Sequence, residues 1–278
     1  MTHHIFDEPK VDCHVHVFDL RFAFKPGVQF TPAANEISTA RQLTVLMESY
    51  GVGHALLVGP NTGYDTWNDC LLDAVANGAG RFRGIAVVPN DIDAKSLVAL
   101  KAAGVAGIAF NPAQVGVAFY QDTAGLLGQL AELDMLLQLQ VKEDELIDFL
   151  PLLDKFKGRL VIDHCGRPAP ERGLGQPGFQ ALLALGRAGR TIVKLSGLRK
   201  VSRQNYPHED TWPYVQALLE AFTPDACVWG SDWPFLRVPE RVDYGPVLTL
   251  FEKLVPDPQV RRKIFWETPR RVFGFGGG

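Results

Sequence analysis

Long apolar runs, basic tracts and paired cysteines are all missing from this sequence of 278 residues. No apolar stretch approaches the roughly 20 residues that a helix needs to cross a bilayer, so we expect no membrane span. The formal net charge is −3 and no basic tract is present, which argues against nucleic acid or an anionic membrane surface as a partner. The first segment, MTHHIFDEPK, lacks the apolar core of a secretory signal, so none is expected.

The cysteines are too scattered to predict a disulfide or zinc framework. No CxxC pair occurs, and each cysteine lies in an apolar or strand-like segment. The four cysteines are Cys13, Cys70, Cys165 and Cys227. Reduced cysteines of this kind are typical of a cytoplasmic protein, which is the location we expect. The oligomeric state is left open, and a homo-oligomer is compatible with the sequence.

The sequence does contain a repeated alternation of short apolar strands and helical patterns. Strands are predicted near residues 10–17, 53–58, 84–88, 106–111, 136–141, 159–164, 192–196 and 227–232. Leu, Ala and Val recur at helical spacing between them, and several helical segments end in glycine. A strand followed by a helix, repeated in this way, predicts an α/β fold with a parallel sheet.

Eight such units in about 250 residues are the size of a (β/α)8 TIM barrel. We therefore predict a single barrel domain, regular or distorted, over residues 1–278, with a frayed tail at 275–278. A doubly wound open sheet is the alternative. It is less favoured, because no glycine-rich phosphate loop follows the first strand.

The first strand carries a row of polar side chains in the segment VDCHVHVFD. Residues two apart in a strand share a face, so Asp12, His14 and His16 should point one way and their apolar neighbours the other. In a barrel the polar row would face the lumen near the mouth, where active sites lie. Burying polar groups there is unfavourable unless they are paired or used. Asp12 could equally anchor a neighbouring strand.

Two other strand ends carry residues of the same kind. LVIDHCGRP ends the sixth strand with Asp163 and His164, and VWGSDWPF ends the eighth with Ser231 and Asp232. Alternation places His164 on the inward face, whereas Asp163 should point toward the helices in a structural role. Asp232 shares its face with Gly230, which is small enough to let another group approach. The three strand ends together predict one catalytic site.

The segments DCHVHVFD, VIDHCGRP and WGSDWP resemble the amidohydrolase superfamily of metal-dependent hydrolases. Within its amidohydrolase-2 branch they are most similar to the 2-pyrone-4,6-dicarboxylate lactonase-like group. RGIAVV at 83–88, KLSG at 194–197 and TPRRVFGF near the end fit the same group. The likeness covers nearly the whole chain in the expected order. It implies a (β/α)8 barrel and the hydrolysis of a small acidic lactone, which is an ester-type bond.

The resemblance also implies roles for the strand-end residues. Asp232 would be the general base for water, and His14, His16 and His164 would hold and polarise the carbonyl group. This scheme is chemically sound, because a carboxylate can take a proton from attacking water and imidazole N–H groups can stabilise an oxyanion. The sequence therefore predicts a lactonase with these four catalytic residues.

Two imidazoles on one face can also chelate a metal ion such as zinc. Binuclear members of the superfamily add a lysine or glutamate on strand four and a histidine on strand five. This sequence has Ala109 and Asn111 on strand four, and Gln138 and Gln140 on strand five, so a binuclear site is not expected. We predict that no cofactor is required, and the alternative is one divalent ion, best matched by zinc. The ligands of such an ion would be His14, His16 and Asp232.

Candidates for binding the substrate follow the same strand ends. The related pattern has an arginine on strand four where this sequence has Ala109, so one anion contact is missing and the dicarboxylated pyrone itself is less expected. Cations are still well placed after strands six and seven, and a guanidinium matches a carboxylate in a bidentate way. The candidates are Arg167, Arg199, Lys200, Arg203, Asn61, Thr62, Asn111 and Gln140, with Lys194 as a further cation. The expected partner is a small acidic or sugar lactone.

Three alternative functions stay open. A zinc-dependent non-oxidative decarboxylase of the same branch uses similar positions. A sugar-lactone isomerase would move an acyl group between hydroxyl groups without net water. A non-catalytic barrel that binds a metabolite is the least favoured.

Overall fold

The computed structural model describes residues 4–238 and 240–276. The strands are β1 (Lys10–Val15), β2 (Val52–Val58), β3 (Phe82–Ala86), β4 (Val105–Phe110), β5 (Leu136–Leu139), β6 (Leu160–Ile162), β7 (Thr191–Leu195) and β8 (Cys227–Trp229). The helices are α1 (Ala40–Ser49), α2 (Asp69–Asn77), α3 (Ala94–Ala102), α4 (Pro112–Val115), α5 (Ala124–Glu132), α6 (Glu145–Leu153), α7 (Pro177–Arg187), α8 (Leu198–Val201), α9 (Trp212–Phe222), α10 (Tyr244–Leu254), α11 (Pro258–Arg262) and α12 (Thr268–Phe273).

The strands form one eight-stranded sheet in the order β1 to β8. Strand pairs within it, such as β1 with β2 and β5 with β6, run parallel. Strands that follow one another in the chain are therefore neighbours in the sheet, with helices in the connections. This is the order of the (β/α)8 TIM-barrel fold, which is confirmed, and a doubly wound sheet would instead reverse its strand order.

Several strands end earlier than the apolar pattern predicts. β6 stops at Ile162 and β8 at Trp229, although the predicted strands continued to residues 164 and 232. The backbone φ is +50° at His164 and +67° at Asp232, left-handed values that lie outside regular β-strand geometry. The alternation of faces therefore does not extend to these two residues.

The described residues fall into two compact units. The first contains β1, β2 and β3, and the second contains β5, β6 and β7. The first unit comprises the described residues of Met1–Val88, Ala103–Ala106 and Trp229–Gly278. The second comprises Pro89–Ala102 and Gly107–Val228. The prediction of one domain over residues 1–278 stays a prediction.

Aromatic rings pack against one another in the core of each unit. In the first, Trp229 packs edge-on against Tyr244 and Phe265, with ring centroids 6.0 and 5.3 Å away. In the second, Phe110 stacks on Tyr120 with centroids 4.2 Å apart. These rings combine a large buried apolar area with preferred edge and stacked geometries.

The end of the described chain is packed against the first unit. Phe275 is buried, and its ring stacks on His54 with centroids 4.8 Å apart. Of the frayed tail predicted at 275–278, residues 277 and 278 lie outside the described residues. Among the helices of residues 4–238 and 240–276, none has the length and apolar character needed to cross a membrane.

Candidate active site

Three of the predicted catalytic residues come together in the first unit. Nε2 of His14 and Nε2 of His16 each lie 3.8 Å from Oδ1 of Asp232. The two imidazole rings are T-shaped, with centroids 5.0 Å apart. All three side chains are buried. Two ring nitrogens and one carboxylate oxygen therefore face one another in a setting with little water.

Main-chain pairing holds Asp232 beside the first strand. Its N–H donates to the carbonyl of His14 at 2.9 Å, and the N–H of His16 donates to the carbonyl of Trp233 at 2.9 Å. Gly230 permits this close approach, because a Cβ at that position would lie 2.7 Å from Cβ of His14. The sequence correctly indicated that Gly230 admits a neighbour. That neighbour is β1 itself.

Asp12 anchors β1 to the segment that follows β8. Its Oδ1 accepts the N–H of Ser231 at 2.9 Å and that of His14 at 3.2 Å, and its Oδ2 accepts the hydroxyl of Tyr244 at 2.8 Å. Burial raises the pKa of Asp12 to about 6, against the opposing effect of the hydrogen bonds from Ser231 and Tyr244. The register of β1 on β2 shifts between Asp12 and Val15, so simple alternation fails there. The anchoring role left open by the sequence is the one observed.

A main-chain carbonyl determines the tautomer of His16. Nδ1 of His16 lies 2.8 Å from the carbonyl oxygen of Val58, the last residue of β2. A carbonyl can only accept a hydrogen bond, so Nδ1 carries a proton. Neutral His16 consequently presents a lone pair at Nε2, on the side of Asp232. His16 can donate from Nε2 only as an imidazolium, which restricts the carbonyl-polarising role predicted for it.

The same three residues form a group that could hold a metal ion. One ligand atom from each of His14, His16 and Asp232 lies within 4.8 Å of the others. Two imidazoles and a carboxylate suit zinc. The Nδ1–H to carbonyl bond of His16 is the outer hydrogen bond typical of a metal-ligating histidine. The residues present therefore fit one divalent ion.

His164 lies in the second unit, two residues after the end of β6. Its side chain is fully buried, and Nδ1 lies 3.0 Å from Oγ of Ser196. Four consecutive residues, 164–167, have positive φ values between +46° and +72°. Such conformations are unfavourable for residues other than glycine and concentrate at functional sites. That His164 joins the His14–His16–Asp232 group stays a prediction.

A closed triangle of polar side chains next to His164 corrects one expectation, that for Asp163. Nζ of Lys194 lies 3.1 Å from Oδ1 of Asp163 and donates to Oε1 of Gln138 at 2.6 Å. Nε2 of Gln138 donates to Oδ2 of Asp163 at 2.8 Å, and all three side chains are buried. Asp163 thus contacts side chains of β5 and β7, although alternation along β6 placed it toward the helices. Lys194 forms an ion pair in the core, and its contact with a substrate stays a prediction.

The predicted substrate-binding residues differ in exposure. Arg203 is exposed, and its guanidinium pairs with Glu171 at 3.2 Å. Asn111 is buried, and its N–H donates to the hydroxyl of Tyr120 at 2.9 Å. The half-buried candidates are Arg167, Arg199, Lys200, Asn61, Thr62 and Gln140. Their contact with a substrate stays a prediction.

The functional neighbourhood includes residues that the sequence did not single out. Val58 contributes only a backbone carbonyl, and Tyr244 reaches Asp12 across 232 positions of chain. Ser196 lies in the KLSG segment that supports the family resemblance. That segment was the one feature of the sequence that pointed to Ser196. Burial raises the pKa of the Cys165 thiol to about 12, so this cysteine stays protonated and unreactive.

Known proteins are similar to this chain in sequence and in fold over most of their length. A model of the family described as Amidohydrolase matches residues 11–275. A 4-sulfomuconolactone hydrolase from Rhizobium radiobacter is 32% identical over 270 residues, which cover 95% of this chain and 89% of that protein. A 2-pyrone-4,6-dicarboxylate hydrolase from Comamonas testosteroni is 24% identical over 277 residues, with 95% and 89% covered.

Among solved structures, one from Acinetobacter baumannii superposes on this chain with a TM-score of 0.84. It is described as a probable 2-pyrone-4,6-dicarboxylic acid hydrolase and has citric acid bound. It is 26% identical and covers 96% of this chain and 99% of its own. The chain therefore belongs to the amidohydrolase family. Within that family, its resemblance to the 2-pyrone-4,6-dicarboxylate lactonase-like proteins is confirmed.

Proposed function

We propose that this protein is a hydrolase that opens the ring of a small acidic lactone. The observation that carries the proposal is the buried carboxylate of Asp232, 3.8 Å from Nε2 of both His14 and His16. This constellation lies in a chain whose relatives are named as lactone hydrolases. The compounds in those names bear sulfonate or carboxylate groups, which supports an acidic ring as the substrate.

In the proposed reaction, Asp232 accepts a proton from water as the water oxygen attacks the lactone carbonyl carbon. The carbonyl oxygen gains negative charge, and imidazole N–H donors stabilise it. The tetrahedral intermediate then collapses, the ring C–O bond breaks, and the proton passes from Asp232 to the departing oxygen. The product is the open-chain hydroxy acid or its keto tautomer.

The hydrogen bonds observed divide the imidazoles by role. Neutral His16 presents a lone pair at Nε2, so it serves as a donor only in its protonated form, beside the Asp232 carboxylate. We therefore assign the donors for the oxyanion to His14 and His164. Burial strengthens these interactions, because little water competes for the developing charge.

We propose that the reaction requires no metal, with one divalent ion on His14, His16 and Asp232 as the alternative. Bound there, an ion would polarise the carbonyl group and acidify the attacking water. Metal analysis and chelator treatment of protein purified without added metal separate the two schemes. Full activity in metal-free protein supports the first, and activity that is lost to chelator and restored by zinc refutes it.

A lactone screen with a matched variant tests the proposed function. Ring opening is followed by proton release with 4-sulfomuconolactone, 2-pyrone-4,6-dicarboxylate, an acidic sugar lactone and a neutral lactone as control. Asp232→Asn preserves the shape of the side chain and removes the base, so kcat should fall by about 10²–10⁴-fold. An unchanged rate in this variant would refute the assignment of the base.

The same screen identifies the alternatives that share this family. An isomerase would convert a sugar lactone without releasing a proton, and a decarboxylase would release carbon dioxide from an aromatic or unsaturated acid. Binding of lactones without turnover, unchanged in Asp232→Asn, would indicate a non-catalytic protein. The cytoplasmic location and the homo-oligomer stay predictions.

A further inference from the structure

The imidazole of His164 is confined on its Nδ1 side by two residues that follow β7. Oγ of Ser196 lies 3.0 Å from Nδ1. Gly197 lies against the ring, because a Cβ there would be 2.5 Å from Nδ1, and its φ of +63° also favours glycine. His164 and Ser196 are 0% and 3% exposed. The ring therefore has a fixed orientation and one close hydroxyl partner.

The direction of the hydrogen bond follows from the needs of the hydroxyl group. A serine hydroxyl has one proton to donate, and a buried polar proton requires an acceptor. Nδ1 of His164 is the one hydrogen-bond partner that residues 4–238 and 240–276 offer to Oγ of Ser196. If Nδ1 carried a proton and donated it to Oγ, the hydroxyl proton of Ser196 would be left unsatisfied. Donation from Ser196 to Nδ1 satisfies both groups.

We infer that Ser196 is a positioning residue that holds neutral His164 with its proton on Nε2. His16 provides the contrast, since the Val58 carbonyl 2.8 Å from its Nδ1 requires the proton to be there. The two buried imidazoles thus have opposite tautomers, one a donor and the other an acceptor at Nε2. The inference rests on the proposed function in one respect: Nε2–H of His164 is the donor to the lactone carbonyl oxygen.

¹⁵N NMR can determine the tautomers of His164 and His16 in the absence of substrate. Protonated and unprotonated ring nitrogens differ widely in ¹⁵N chemical shift, and at about pH 8 an ordinary imidazole is neutral. Protein labelled with ¹⁵N-histidine should show Nε2–H for His164 and Nδ1–H for His16, with signals assigned by His164→Gln and His16→Gln. A protonated Nδ1 in His164 would overturn the inference, whatever reaction the protein catalyses.

Kinetics test whether the hydroxyl acts through His164. With 4-sulfomuconolactone as the probe, Ser196→Ala should lower kcat by about 10–100-fold and leave KM within about twofold, as expected when an interaction made in the transition state is lost. Ser196→Thr keeps the hydroxyl and should recover most of the rate. Ser49→Ala, at an exposed serine of α1, is the matched control and should behave as wild type.

The two measurements separate failure of the inference from failure of the proposed function. An unchanged kcat in Ser196→Ala, or a Ser196→Thr variant as slow as Ser196→Ala, would overturn the positioning role. If no lactone is turned over, the proposed function fails and the wild-type nitrogen spectrum alone decides the tautomer. If Ser196→Ala does not fold, the wild-type nitrogen spectrum is again the deciding measurement.

Discussion

Removing one charge of the buried Lys194–Asp163 pair should destabilise the protein by about 3–5 kcal/mol, because the other charge stays buried and loses this ion-pair partner. Nζ and Oδ1 are 3.1 Å apart, and the two side chains are 0% and 2% exposed, so water cannot readily replace the missing partner. At this distance the Coulomb energy is about 5 kcal/mol for an effective dielectric constant of about 20. Typical domains are stable by only about 5–15 kcal/mol, so the effect is large.

A double-mutant cycle separates the pairing of the charges from the packing of their side chains. Lys194→Met and Asp163→Leu each leave one buried charge, whereas the double variant removes both and keeps apolar side chains of similar size. The double variant should lose at least about 3 kcal/mol less than the sum of the single variants. The amide of Gln138 then lacks both partners, and each orphaned buried group costs about 1–3 kcal/mol. Adding Gln138→Met to the double variant should recover much of the stability lost through this amide.

The free energy of unfolding is measured by equilibrium urea denaturation, followed by tryptophan fluorescence and circular dichroism. The exposed pair Arg203–Glu171 is the matched control, with side chains 70% and 55% exposed, and its cycle should show no measurable coupling. Additive effects in the Lys194–Asp163 cycle, or single variants no less stable than the exposed controls, would refute the reasoning.

Three further predictions follow from buried groups and close contacts. Burial lowers the pKa of Lys10 from 10.5 to about 8. The unfolded chain therefore binds more protons than the folded protein between these pH values, so the free energy of unfolding rises with pH. Relative to Lys10→Met, the free energy of unfolding of the wild type should increase by up to about 3 kcal/mol between about pH 8 and 10.5. Parallel pH curves for the two proteins would contradict this. Gly197→Ala should reduce kcat, because its Cβ would lie 2.5 Å from Nδ1 of His164, and an enzyme with wild-type turnover would count against the contact. Tyr244→Phe should lower the free energy of unfolding by about 1–3 kcal/mol, because the buried Asp12 carboxylate loses its hydroxyl donor, and an equally stable variant would contradict that hydrogen bond.

The fold was predictable because it depends on burial, and burial leaves a periodic pattern in the residues. Short apolar strands alternating with amphipathic helices specify parallel βα units, and their number matches a (β/α)8 sheet. His14, His16 and Asp232 could be identified for a related reason. Polar residues inside apolar strand segments are unfavourable in a core, so their presence there indicates a partner or a function.

The ends of the strands were not predictable from the same pattern. The predicted strands continue past Ile162 and Trp229, yet the observed strands end there and the backbone is left-handed at His164 and Asp232. Alternation then assigns the wrong surroundings, as it did for Asp163. The backbone conformation at these positions is decided by what surrounds the loop, which local sequence does not report.

Which polar groups meet was likewise decided only in three dimensions. His16 and Val58 are 42 positions apart, and His164 and Ser196 are 32 positions apart. Composition and spacing could identify the imidazoles as candidate site residues. Where each proton lies is determined by the Val58 carbonyl beside His16 and by the Ser196 hydroxyl beside His164. Strand register brings these groups within hydrogen-bond distance, and register is a property of the assembled sheet and not of any one segment.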